Sequence, residues 1–147
     1  MAKLEVHFVP AQHFSRRGAF DLNKTLWGGF VITWEGLPIY FAGDTGYGSH
    51  FNEIFHKFGK LSLAMLPIGA YKPRWFMEAM HMSPKDAVHA HLDLQAKKSL
   101  GIHFGTFPLG DEGLEDPVKD LKKELLEEKI SSKDFLSLNN GEQFLIK

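Results

Sequence analysis

The chain has 147 residues, 44% of them hydrophobic and 24% charged, which is the balance of one globular domain with a real core. A formal net charge of -1, with no basic stripe, gives no electrostatic footprint for nucleic acid or acidic lipid as a main partner. The absence of cysteine excludes disulfides and thiolate metal sites, so any transition metal would be held by the 8 histidines and by carboxylates.

No apolar run reaches the length of a membrane span and no signal-peptide pattern is present, so a single cytoplasmic domain over residues 1–147 is the expectation. Leu4 to Val9 alternates apolar and polar and reads as a half-buried strand ended by Pro10. The loop that follows carries His13 and the adjacent Arg16 and Arg17. Leu26 to Trp34 reads as a second strand, Glu35 to Pro38 as a tight turn, and Pro38 to Ala42 as a third strand hairpinned to the second. The third strand runs into Gly43-Asp44-Thr45-Gly46, a sharp turn that puts one carboxylate at a strand's C-terminal end.

Phe51, Ile54, Phe55 and Phe58 form one apolar helical stripe, with Ser49 as N-cap, Gly59 beyond the end, and His50 and His56 expected at the surface. Leu61 to Pro67 reads as a buried strand. Ile68 to Phe76 reads as an irregular loop rich in large side chains, the kind that lines pockets. Ser83-Pro84-Lys85-Asp86 is a strong helix start, predicting a helix to about Lys98 that buries Ala87, Val88, Leu92 and His91. His81 stands just before it. His89 and His91, two residues apart, face different ways and make no helical metal pair. Ser99 to Phe107 reads as a strand with His103 near its end. Pro117 to Glu128 reads as an amphipathic helix with Val118, Leu121, Leu125 and Leu126 inward. Phe135 to Leu138 and Gln143 to Ile146, joined by Asn139-Asn140-Gly141-Glu142, predict a closing hairpin.

His13, Asp44 and His103 are remote in sequence but share one address, where a strand hands over to a loop. Imidazole and carboxylate suit zinc, and a carboxylate can bridge two ions. The stretches Gln12-His13-Phe14, Leu26-Trp27-Gly28, Phe41 to Tyr47, Pro67 to Tyr71, Pro73 to Met77 and Ile102 to Phe107 together resemble the C-terminal half of a metallo-β-lactamase-fold hydrolase. Within that superfamily the chain is most similar to the N-acylphosphatidylethanolamine-hydrolysing phospholipase D family and its bacterial relatives, over nearly its whole length.

The resemblance implies an α/β (α+β) fold: half of an αββα sandwich, with one mixed β-sheet and helices on one face. It implies a site that in the complete family holds two zinc ions, with His13 and His103 as ligands and Asp44 as the bridging carboxylate. His81 would assist proton transfer at the reaction centre, where a metal-bridging hydroxide attacks a phosphodiester. Tyr71, Arg74 and Trp75 fall in the loop that would meet the substrate, a lipid or other small phosphodiester.

The family's signature His-x-His-x-Asp-His, which belongs to the N-terminal half, does not occur in this sequence. The isolated half is therefore expected to be inactive, since a catalytic zinc needs three protein ligands and an open position. It is also expected to expose one sheet face that needs a partner: a separate N-terminal-half chain, or a second copy in a homodimer. Two other readings compete with a phosphodiesterase: a lactonase or other hydrolase on the same scaffold, and a non-catalytic remnant or interaction module.

Overall fold

The computed structural model describes residues 3–146. Ten elements follow in chain order: β1 (Leu4–Val9), β2 (Gly29–Trp34), β3 (Leu37–Phe41), α1 (His50–Phe58), β4 (Leu63–Pro67), α2 (Arg74–Met77), α3 (Pro84–Asp93), β5 (Ser99–Ile102), α4 (Asp116–Glu127) and β6 (Phe135–Leu136). The strands form one sheet in the order β1-β2-β3-β4-β5-β6. The first two pairings are antiparallel and the remaining three parallel. This is the mixed α/β sheet that the sequence predicts.

The hairpin between β2 and β3 turns on Glu35 and Gly36, both at positive φ (51° and 80°), the geometry that matches strand twist in a two-residue turn. Each parallel pairing needs a crossover, and the helices supply it: α1 between β3 and β4, α2 and α3 between β4 and β5, α4 between β5 and β6.

Register separates the two faces. His7, Val31, Tyr40, Ala64, Ser99 and Phe135 are successive partners across all six strands. From Val31 onward this row is buried. Its apolar members cluster with Phe51 and Ile54 of α1, Ala87, Val88 and Ala90 of α3, and Leu121 and Leu125 of α4. The next row, Phe8, Phe30, Phe41, Met65, Leu100 and Leu136, points to the other face. There Phe8 is 51%, Phe30 40% and Phe41 40% exposed. All three helices of the core thus lie on one side.

Several local expectations are corrected. β2 begins at Gly29 and β5 ends at Ile102, so the flanking apolar residues belong to loops. α3 stops at Asp93 rather than near Lys98, and Gln95 beyond it has positive φ. Its buried residues are Pro84, Ala87, Val88, Ala90 and His91, which leaves Leu92 exposed; Leu126 of α4 is exposed as well, one step off the Leu121–Leu125 line. Arg74 to Met77 is a short helix inside the predicted loop.

His50 is buried, whereas His56 is exposed as expected. Ser49 makes no side-chain cap on α1. The closing hairpin does not form. The Asn139–Glu142 turn is present, but residues 143–146 pair with no strand. Phe144, Leu145 and Ile146 instead line a groove with Trp34, Leu37 and Ile39 on the uncovered face. Shielding apolar surface there outweighs extending the edge of a two-residue strand.

Candidate functional site

β1 and β3 both run antiparallel to β2, so they point the same way, and β4 and β5 run parallel to β3. The C-terminal ends of β1, β3, β4 and β5 therefore share one edge of the sheet. His13 follows β1, Asp44 follows β3, His81 lies in the long connection after β4, and His103 directly follows β5. Topology alone brings four remote residues to one rim.

They meet there. His103 Nε2 lies 3.3 Å from Asp44 Oδ1. The His103 and His81 rings stack with centroids 5.4 Å apart, and the His81 and His13 rings meet edge-on at 5.3 Å. His13 Nδ1 is 2.9 Å from the carbonyl oxygen of Phe14. A carbonyl can only accept, so Nδ1 is the donor in this bond and Nε2 is the ring nitrogen left to meet a ligand. His103 has positive φ (58°), a conformation uncommon outside glycine. Gly69, after β4, packs on it: a Cβ on Gly69 would lie 2.2 Å from the His103 carbonyl oxygen.

Electrostatics follow from this packing. The hydrogen bond from His103 holds the Asp44 carboxyl below its ordinary range, against a smaller opposing effect of burial; the charges of His103, His81 and His13 add to the lowering. Reciprocally, the Asp44 bond raises His103. Burial, then the neighbouring His103 and His13, pushes His81 down and favours its neutral form.

Behind the rim, Thr45 Oγ1 donates to the carbonyl of Gly46 (2.8 Å) and accepts the Gln12 N–H (2.9 Å). Its single proton is thus spent, so His50 Nε2, at 3.3 Å, is the donor of that pair. Composition and periodicity carry no sign of this link, because His50 lies off the apolar stripe of α1.

The three expected substrate residues part company. Trp75 is 81% exposed. Tyr71 is buried and its hydroxyl donates to Asp120 Oδ2 at 2.5 Å. Arg74 donates to the carbonyl of His81 and to Asp86. An open cleft of about 270 Å³ beside His103 is lined by Phe104, Thr106, Phe107 and Leu109.

The donor atoms are of the right kind for a divalent transition metal, and His81 Nδ1 is buried without a hydrogen-bond partner. Among the described residues, however, no group of three or more histidine, aspartate or glutamate side chains is arranged to hold one ion.

Comparison with known proteins bears on what this rim belongs to. Residues 1–104 match the family model of the β-lactamase superfamily domain. The chain belongs to the metallo-β-lactamase superfamily. It is 42% identical over 137 residues to N-acyl-phosphatidylethanolamine-hydrolyzing phospholipase D 1 of Caenorhabditis elegans, covering 91% of this chain and 38% of that protein. A metal-dependent hydrolase of Ligilactobacillus salivarius is 33% identical over 121 residues, covering 82% of this chain and 49% of that one. The fold matches a metallo hydrolase from the archaeon Ignicoccus hospitalis with a TM-score of 0.65 at 23% identity, over 95% of this chain and 51% of the other. The chain thus spans about half, or less, of the length of these superfamily proteins. Among the described residues no helix is long and apolar enough to cross a membrane.

Proposed function

We propose that this chain is the C-terminal half of a zinc-dependent phosphodiesterase of the phospholipase D type. The observation that carries the reading is the meeting of Asp44 with His103 at 3.3 Å, in ring contact through His81 with His13. The 42% identity to the nematode phospholipase D supports this substrate class over a lactone.

His13 through Nε2, His103 through Nε2 and Asp44 through its carboxylate would hold the metal. A zinc ion held there supplies Lewis acidity, which acidifies water and offsets charge on phosphoryl oxygens. The other steps fall to side chains. Asp44 holds His103 through its Nε2 proton before metal enters, a bond that ligation through the same nitrogen would replace. His81, kept neutral by its surroundings, can accept a proton at Nδ1 or pass one on. The exposed Trp75 and the apolar wall of Phe104, Phe107 and Leu109 would meet the non-reacting part of a lipid diester.

The missing ligands and the missing layer have one source in this reading. The uncovered sheet face takes the sheet of a complementary N-terminal half, whose His-x-His-x-Asp-His string completes the metal cage. That this chain spans 51% of the Ignicoccus hydrolase supports a partner of equal size and the same fold. The non-catalytic reading is favoured by a different observation, that no three donors converge among the described residues.

The deciding experiment assays the chain with zinc, alone and mixed with an N-terminal-half protein, on a phosphodiester and on a lactone. Turnover of the diester only in the mixture, with metal bound, is the expected result. No turnover and no complex with the added half would leave the non-catalytic module. Full zinc loading of a homodimer would make a second copy the partner.

A further inference from the structure

The His81 imidazole stands between two other rings, yet among the described residues it has no hydrogen-bond partner that would orient it, and its Nδ1 is buried. Its placement therefore depends on the two flanking rings and on the backbone that carries it. Arg74, the first residue of α2, grips that backbone: Nη1 donates to the His81 carbonyl oxygen at 2.9 Å and Nη2 to Asp86 Oδ2 at 2.8 Å. Asp86 is itself fixed. The same Oδ2 accepts the Ser83 N–H at 2.9 Å and the Ser83 hydroxyl at 2.8 Å, in the capping box that opens α3. A planar guanidinium held on two acceptors has little freedom left, so the helix start is coupled rigidly to residue 81.

The other side of the turn is tied as well. Gln12 Nε2 donates to the Ala79 carbonyl at 3.0 Å, and the Met82 N–H donates to the Thr45 carbonyl at 3.1 Å. Gly46 sits inside this junction, where a Cβ would lie 2.8 Å from both the Ala79 oxygen and Gln12 Nε2. Residue 81 itself is held twice: its N–H donates to the Met77 carbonyl oxygen at 2.8 Å, and its carbonyl accepts from Arg74, the one side chain that grips it.

We infer that Arg74 is a positioning residue that sets His81 between His13 and His103, rather than a group that binds a substrate anion. Both terminal nitrogens are engaged, and the Asp86 carboxylate neutralises the charge that would draw in a phosphate. The functional meaning rests on the phosphodiesterase reading; the geometric claim does not.

Nitrogen-proton spectra of the histidine rings test it on the full metal-free chain, with His81 assigned by its loss in His81→Gln. Arg74→Met is expected to shift the His81 ring signals, and with them those of His13 and His103. The signals of His91, bonded to Ser99 on the sheet at 2.8 Å, should stay in place. Unmoved His81 signals would overturn the inference. Should Arg74→Met lose the fold, seen as movement of His91 too, Arg74→Lys keeps the charge without the fork and must still displace His81. Dimethyl phosphate added to the wild-type chain should leave the Arg74 side-chain signal unchanged; a specific shift there would assign Arg74 to the substrate instead. A chain that never shows diesterase activity would end the functional reading while leaving these spectra decisive for the geometry.

Discussion

The two faces of the sheet differ by a single residue step, and nearly everything about the protein follows from that step. Val31, Tyr40, Ala64 and Phe135 on one row are sealed under α1, α3 and α4. Phe8, Phe30 and Phe41, each adjacent in sequence to a residue of the covered row, look outward. Both rows are apolar, so hydrophobicity does not tell them apart; the presence of a covering layer does. Exposed aromatic side chains on neighbouring strands are the kind of apolar patch that marks an interaction surface. Among the described residues, helices cover one side of the sheet and leave apolar side chains exposed on the other.

The sharpest way to break the comparison is to cut a side chain on each face. Leu66→Ala, in the sealed layer, is expected to cost about 2–5 kcal/mol in denaturant unfolding, because it removes buried methyl groups and leaves a cavity. Val6→Thr, on the open face, should change the stability of the isolated chain by no more than about 0.5 kcal/mol. A large effect of Val6→Thr that grows with protein concentration would mean the open face is already covered by a second copy.

Next in size is Gly69→Ala, at the rim where the two faces end. The added methyl would collide with the His103 carbonyl oxygen. Overpacking of this kind costs about 1–3 kcal/mol, and on the proposed phosphodiesterase reading the zinc affinity of the chain mixed with an N-terminal half should fall further than stability because His103 moves. Unchanged zinc affinity would show that His103 contributes no ligand.

Asp44→Asn probes the pair at the same rim, and its pH dependence has a defined sign. His103 is raised by Asp44, so its contribution to stability is present below its ordinary value and fades as pH rises through the raised one. Asp44 is lowered, so its contribution is present above its ordinary value and fades as pH falls through the lowered one. The stability difference between wild type and Asp44→Asn should therefore peak between roughly pH 4 and 6.5, the ordinary carboxylate and imidazole values. A histidine titration by NMR should also find the His103 pKa lower in the variant. A difference that is flat with pH would mean the two groups are uncoupled in solution.

The smallest expected effect is in the covering layer. Ser83→Ala removes the N-cap of α3 and should cost about 1 kcal/mol by thermal or denaturant unfolding. Binding of a partner to the open face should be untouched, which separates the roles of the two sides.

Much of this was legible beforehand. Alternation in Leu4–Val9 and the apolar run before Asp44 located β1 and β3, and Ser83-Pro84 located the start of α3, because these signals are local and need no tertiary context. The rim address of His13 and Asp44 was also readable, since their strand ends are marked by Pro10 and Gly43; His103 was placed near the end of a strand read as running to Phe107, which in fact stops at Ile102. Other features were not. His50 reads as a surface residue until its hydroxyl partner arrives from the Asp44 loop. Leu92 and Leu126 look inward until the helices take their actual rotation. Residues 143–146 have the pattern of a strand, and only the open face nearby gives them a better use.

The sequence by itself determined which residues want water and which do not, where strands end, and which imidazoles and carboxylates stand at those ends, because each of these depends on neighbours a few residues away. The tertiary structure alone decided that β1 and β3 point the same way, that Arg74 faces Asp86 and the His81 carbonyl, and that one apolar face goes uncovered. Those outcomes depend on contacts between segments separated by many residues, and no local pattern encodes which distant surface a side chain will meet.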